Sequence, residues 1–244
     1  MSDLAAQPET GTCALHVDLV RRLVAEGVGT ALLVIAVVGS GIMAQRSSTD
    51  VGIQLLENST ATAGALVGLI LAFGAVSGAH LNPAVTLAAR LFGTITTRDA
   101  GLYVLVQTAG ACLGTIAANL MFSLPAATLS TTARSGRGLW IAEVIATIGL
   151  LVVIHGCVRT GRGSVVAFAV AAWIAGAYWV TSSTSFANPA VTVARTLTDT
   201  FAGIKPSSAP MFIAMQLVGV GSAFGLIRFI YPTTEPEATD VTAN

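Results

Sequence analysis

Read for apolar and polar positions, the chain divides into six long apolar stretches, 19–44, 56–77, 100–123, 138–158, 164–184 and 208–231. Each is long enough for a membrane-spanning helix, which needs about 20 largely apolar residues. Two shorter apolar stretches are left over, 82–92 and 188–198. Both open on the same five residues, Asn82-Pro83-Ala84-Val85-Thr86 and Asn188-Pro189-Ala190-Val191-Thr192. Asn is a favoured helix N-cap and Pro a favoured first helical residue, so each phrase predicts a helix start. A helix of this length rises about 16 Å, so two placed end to end match the roughly 30 Å hydrocarbon core. The pattern therefore predicts two half-helices entering from opposite faces and meeting near the middle.

The phrase belongs to a longer internal repeat. Ala25-Glu26 opens the first span and Ala142-Glu143 the fourth. Gln107 in the third span precedes Gly110 and Gly114, and Gln216 in the sixth precedes Gly219 and Ala223. Three spans per half is an odd number, so the halves must be inserted upside down relative to each other, as in inverted-repeat transport proteins. The expected organisation is a polar segment 1–18, a channel-type domain 19–231 with halves 19–124 and 138–231, and a disordered acidic tail 232–244.

Composition sharpens this reading. Hydrophobic residues make up 54% and charged residues 10%, with a mean hydropathy of +0.78, where a soluble domain carries about 25% charge. Zero net charge argues against a nucleic-acid partner. Cys13, Cys112 and Cys157 form no CxxC pair, so neither a disulfide framework nor a metal site is expected. The first residues lack the apolar core of a signal peptide. With a cytoplasmic N-terminus, seven cationic residues of the spans and their loops lie inside and five outside, a weak agreement with the positive-inside rule.

The stretch Ser77-Gly78-Ala79-His80-Leu81-Asn82-Pro83-Ala84-Val85-Thr86 resembles the first signature of the aquaporin family, and Phe186-Ala187-Asn188-Pro189-Ala190 the second. The resemblance extends over residues 19–231. It implies an all-α membrane fold of six helices and two re-entrant half-helices, a pore in each subunit of a homotetramer, and a multi-pass protein of the plasma membrane (the inner membrane in a bacterium). Water and small neutral solutes are the implied cargo; no cofactor is implied. Aquaporin-type pores are a standard illustration of selectivity by pore width and lining donors.

Within that frame, Asn82 and Asn188 are expected to aim amide N–H groups at the pore midpoint, against the alternative that they only cap helices. Glu26 and Glu143 sit in apolar helices, where a charge costs about 2.5–3.5 kcal/mol or more. Proton relay or ion coordination is one role for them; accepting hydrogen bonds from irregular backbone beside a half-helix is the other, and their symmetry favours it. Gln107, Gln216 and His80 are read as loop support in the same way, and His155 and Cys157 as bystanders. Gly64 with Gly68, Gly110 with Gly114, and Gly221 with Gly225 predict close helix contacts.

One departure from the family stands out. Its usual filter arginine follows the second Asn-Pro-Ala; here that residue is Val191. Counting offsets from the two boxes gives Thr62, Gly176 and Ser185 as the other filter positions. Such a filter is uncharged, without a large ring, and wider than a water-only constriction. Glycerol, urea and neutral metalloid acids such as arsenous acid are the solutes that wide members pass. Arg195, one turn beyond Val191, could reach back toward the pore mouth, but is read as a solvated surface arginine. The leading function is a passive channel. The alternatives are a strict water channel, an ion-coupled transporter using Glu26 and Glu143, and a scaffold with a vestigial pore. No nucleophile–base pair or metal cluster suggests an enzyme.

Overall fold

A computed structural model describes residues 17–232. The acidic tail and most of the polar N-terminal segment lie outside the described residues. Among the described residues six helical spans are long and apolar enough to cross a membrane: α1 Leu19–Ser47, α2 Val51–Ser77, α4 Thr97–Met121, α5 Arg137–Arg159, α6 Val166–Val180 together with the turn before it (Gly163–Val180), and α8 Ala209–Ile230. A 3₁₀ turn over Gly163–Val165 leads into α6. Two short helices interrupt the series, α3 Pro83–Leu91 and α7 Pro189–Ala194, the latter continued by a 3₁₀ turn over Arg195–Leu197.

The ends differ from the hydropathy pattern where polar residues cap or extend a helix. α2 begins at Val51 rather than 56, because the Asp50 carboxylate accepts from Ile53 N at 3.0 Å and draws Gln54 and Glu57 into the first turns. α6 stops at Val180 rather than 184, since Thr184 and Ser185 take positive φ (60° and 52°) in the loop that dives toward α7.

Each half packs the same way. α1 lies against α2 and α4, and α5 against α6 and α8, while α2 meets α6 between the halves. The α1–α4 contact is backbone to backbone. A Cβ on Gly110 would stand 2.2 Å from Gly27 O, and one on Gly114 2.4 Å from Ala31 O. On α8 the close approach falls at Gly219, whose Cβ would meet Thr147 Cβ at 2.8 Å. Gly64, Gly68, Gly221 and Gly225 have no heavy atom within 4 Å of an added Cβ. The expected contacts at those four positions are therefore absent among the described residues, because the glycines lie on faces that none of the described helices covers.

The face at which α1 begins is called the near face, the opposite one the far face. On the far face the 122–136 connection runs beside the segment that follows α7. Thr128 N donates to Leu197 O and Ser130 N to Thr196 O, both at 3.0 Å. Asn119 Nδ2 donates to Leu197 O at 3.2 Å. The Asp199 carboxylate accepts from Thr131 N at 2.8 Å and Thr131 Oγ1 at 3.0 Å. Those bonds hold its pKa below the ordinary aspartate value of 3.8. A depressed carboxylate pKa stabilises the fold above the unfolded-state value and loses that contribution as pH falls through the folded value. Protection of the Thr131 amide against hydrogen exchange should thus be flat from pH 7 to about 5 and fall below about 4. In Asp199→Asn the drop should vanish; an unchanged pH profile in that variant would show that another group controls the loop.

Candidate functional site

The two half-helices bring their N-terminal ends together, and the asparagines serve both helices at once. Asn82 Oδ1 accepts from Ala84 N at 2.8 Å, and Asn188 Oδ1 from Ala190 N at 3.0 Å and Val191 N at 3.2 Å. Each side-chain amide then crosses to the opposite loop. Asn82 Nδ2 donates to Ala187 O at 2.8 Å, and Asn188 Nδ2 to Leu81 O at 2.9 Å. A carboxamide nitrogen has two hydrogens, so each asparagine keeps one in reserve, and both side chains border the central cavity. Pro83, Ala84, Pro189 and Ala190 are buried in the first turns, with no backbone donor lost at the proline positions.

Two carboxylates hold the loops that lead into these ends, by matching contacts. Glu26 Oε1 accepts from Ser77 Oγ (2.6 Å) and His80 N (2.9 Å), and its Oε2 from Leu81 N (2.7 Å) and Gln107 Nε2 (2.8 Å). Glu143 Oε1 accepts from Ser183 Oγ (2.6 Å) and Phe186 N (2.9 Å), and its Oε2 from Ala187 N (3.0 Å) and Gln216 Nε2 (2.6 Å). Gln107 and Gln216 also donate to Thr86 Oγ1 and Thr192 Oγ1, tying each frame to its half-helix. The loops need this support. Ala79, Leu81 and Ala187 all have φ between 44° and 49°, a region in which only glycine is comfortable. Ser77, Ser183, Thr86 and Thr192 complete the two frames. Of these, the threonines were visible in the repeated phrase, and the serines in their equal offset, five residues before Asn82 and before Asn188.

The cavity beside the asparagines has a volume of about 530 Å³ and reaches from Val158 and Ser164 near one face to Tyr178 and Arg195 near the other. Thr62, Ser185 and Val191 border it; Gly176 does not. Gly176 is exposed, with nothing within 4 Å of an added Cβ, and Tyr178 stands in the cavity instead, its hydroxyl 3.3 Å from Thr62 Oγ1. The reason is helix phase. The buried face of α6 runs through Val170, Ile174, Ala177 and Tyr178, and Gly176 lies opposite to it. That periodicity was the available signal for Tyr178.

Two further expectations change. Arg195 is not a solvated surface residue: it is 3% exposed, stacks its guanidinium 3.5 Å from the Phe186 ring centroid, and donates from Nε to Ala202 O. His155, expected as a bystander, borders the near part of the cavity and sits with its ring centroid 4.4 Å from that of Phe92. His80 borders the same part, its Nδ1 3.1 Å from Thr86 Oγ1. Cys157 lies outside the cavity lining. Among the described residues no group of three or more His, Cys, Asp or Glu side chains could hold a metal.

Comparison with known proteins decides the family. The family model described as Major intrinsic protein matches residues 14–165. The chain belongs to the major intrinsic protein family. It is 46% identical over 219 residues to aquaglyceroporin AqpS of Rhizobium meliloti (strain 1021), a match covering 90% of this chain and 94% of that protein. Probable aquaporin NIP7-1 of Arabidopsis thaliana is 34% identical over 140 residues, covering 56% of this chain and 50% of that one. The X-ray structure of the aquaglyceroporin from Plasmodium falciparum superposes with a TM-score of 0.69 at 22% identity, covering 88% of this chain and 98% of that chain, which establishes the aquaporin fold. As a major intrinsic protein with six apolar helices, the chain is a multi-pass membrane channel for water and small neutral solutes.

Proposed function

We propose that this major intrinsic protein is a wide-filter channel, passing glycerol- and urea-sized solutes and neutral metalloid acids as well as water. The observation that carries the reading is the lining of the far part of the cavity. Thr62, Tyr178, Ser185 and Val191 border it; Thr62 and Tyr178 bring a hydroxyl and a phenol, Val191 an isopropyl group, while Ser185 Oγ is turned into the protein, and no cation projects from the position of Val191. Arg195 borders the same stretch but is laid against Phe186 and hooked to Ala202 O, which keeps it to the wall. Tyr178 makes this filter narrower than one lined by Gly176 would be, yet its hydroxyl, engaged with Thr62 Oγ1, supplies a polar edge for a hydroxylated solute.

At the midpoint, the reserve N–H of Asn82 and of Asn188 would orient a passing water oxygen, and the two helix N-terminal ends would repel cations. Glu26 and Glu143 support a channel rather than an ion-coupled transporter, because both oxygens of each are already engaged by the loops. The same reading makes the protein a homotetramer in the plasma membrane, the inner membrane in a bacterial cell, with the near face and both termini cytoplasmic. The test is stopped-flow swelling of proteoliposomes with water, glycerol, urea and arsenous acid side by side. Water accompanied by at least two of the larger solutes is the expected outcome; flux of water alone would make the protein a strict water channel.

A further inference from the structure

Two guanidinium groups lie at the far end of the cavity, Arg195 in its lining and Arg134 behind it, and neither has a carboxylate partner among the described residues. Arg195 stacks 3.5 Å from the centroid of Phe186, and Arg134 lies 5.3 Å from the centroid of the same ring. Three successive carbonyls fix the pair. Phe201 O accepts from Arg134 Nη2, Ala202 O from Arg195 Nε, and Gly203 O from Arg134 Nε. Carbonyl dipoles and a ring face orient a guanidinium, but they do not cancel its charge. The ion pairs among the described residues are Arg21–Asp18 and Arg22–Asp99, neither of which involves Arg134 or Arg195. Glu143, which braces the loop carrying Phe186, has both oxygens filled, and Asp199 is committed to Thr131.

The decisive detail is what Arg195 leaves open. Its side chain is 3% exposed and borders the cavity. Nη1 and Nη2 have no hydrogen-bond partner among the described residues, yet they are not among the nitrogens sealed inside protein without one. The cavity is the open space that Arg195 borders. A guanidinium fixed by stacking and by its Nε, with both terminal nitrogens unpartnered beside a cavity, has the geometry that grips an oxyanion by two parallel hydrogen bonds. Arg134, behind the shared ring, adds a second positive charge and further disfavours cations at this point.

We infer that the far mouth is a binding site for small oxyanions, held by Nη1 and Nη2 of Arg195 with Arg134 supplying additional field. The site goes beyond conduction of neutral solutes. Its occupant sits where a solute must enter, so a bound oxyanion obstructs neutral-solute entry from that face.

Calorimetric titration of the purified protein with inorganic phosphate, against chloride at equal ionic strength, tests this independently of transport. Phosphate should give a saturable heat and should slow urea entry when added at the far face. Arg195→Met keeps most of the length and should weaken phosphate binding at least about tenfold, since a bidentate charged contact is lost. Should that variant not assemble, two others decide. Arg195→Lys keeps the charge but not the fork and should bind several-fold more weakly. Arg134→Met keeps the fork and should weaken binding by a smaller factor. No saturable heat in the wild type would overturn the inference, as would phosphate affinity unchanged in Arg195→Met, or unchanged in both Arg195→Lys and Arg134→Met.

Discussion

Val191→Arg is expected to lower glycerol and urea permeability at least about tenfold while water permeability falls far less, since pore width and lining donors set selectivity. Val191 is buried at the first turn of α7 and borders the cavity on the same stretch as Thr62 and Tyr178. An arginine there would project a long cationic group across a lumen that now meets an isopropyl side chain. A water molecule could pass beside it and accept its hydrogen bonds; a solute with a carbon skeleton would collide. Arg195 follows one helical turn later, and like charges four apart on a helix cost a few tenths of a kcal/mol. The melting temperature should therefore drop slightly, and permeabilities must be normalised to assembled protein. Equal losses of water and of the larger solutes would refute the wide filter.

Glu143→Leu should abolish conduction because the variant does not assemble. Removing the carboxylate strands Ser183 Oγ, Phe186 N, Ala187 N and Gln216 Nε2 in the interior. Each stranded donor costs about 1–3 kcal/mol, against a total stability of only about 5–15 kcal/mol. Glu143→Gln is milder but not silent. Its oxygen can serve two of the four donors, while its amide nitrogen would face the other two. Gln216 can relieve part of that by turning over, because its Oε1 is buried with no partner and is free to accept. The Gln variant should assemble, melt several degrees lower and still conduct; Glu26 should behave alike through Gln107. Conduction at wild-type level in the Leu variant would contradict the framing role. Loss of transport in an assembled Gln variant would instead revive ion coupling.

Much of this arrangement was legible before any coordinates, and the reason is repetition. Two copies of Asn-Pro-Ala-Val-Thr fixed two helix starts, and the paired Glu26 and Glu143 fixed the symmetry that the two loop frames display. What could not be read depended on helix phase or on chain far away in sequence. Gly176 and Tyr178 are two residues apart, which is about 200° around a helix, so an offset counted from Asn188 landed on the wrong face of α6. Arg195 looked like a surface residue because nothing near it in sequence announces the Ala202 carbonyl or the Phe186 ring that bury it. The ends of α2 and α6 moved for a local reason: polar caps extend or stop a helix without changing hydropathy.

The central claim is that the opposed ends of α3 and α7, with Asn82 and Asn188 between them, form a path open to neutral molecules and closed to cations. The most direct test is to measure water flux and potassium conductance on the same reconstituted protein, for the wild type and for Asn188→Asp. The aspartate keeps the cap to Ala190 N and Val191 N but loses the donor to Leu81 O and places a carboxylate at the cavity. The wild type should carry water with no potassium current, and the variant should carry both. A potassium current through the wild type, or an assembled Asn188→Asp that remains potassium-tight with unchanged water flux, would contradict the account.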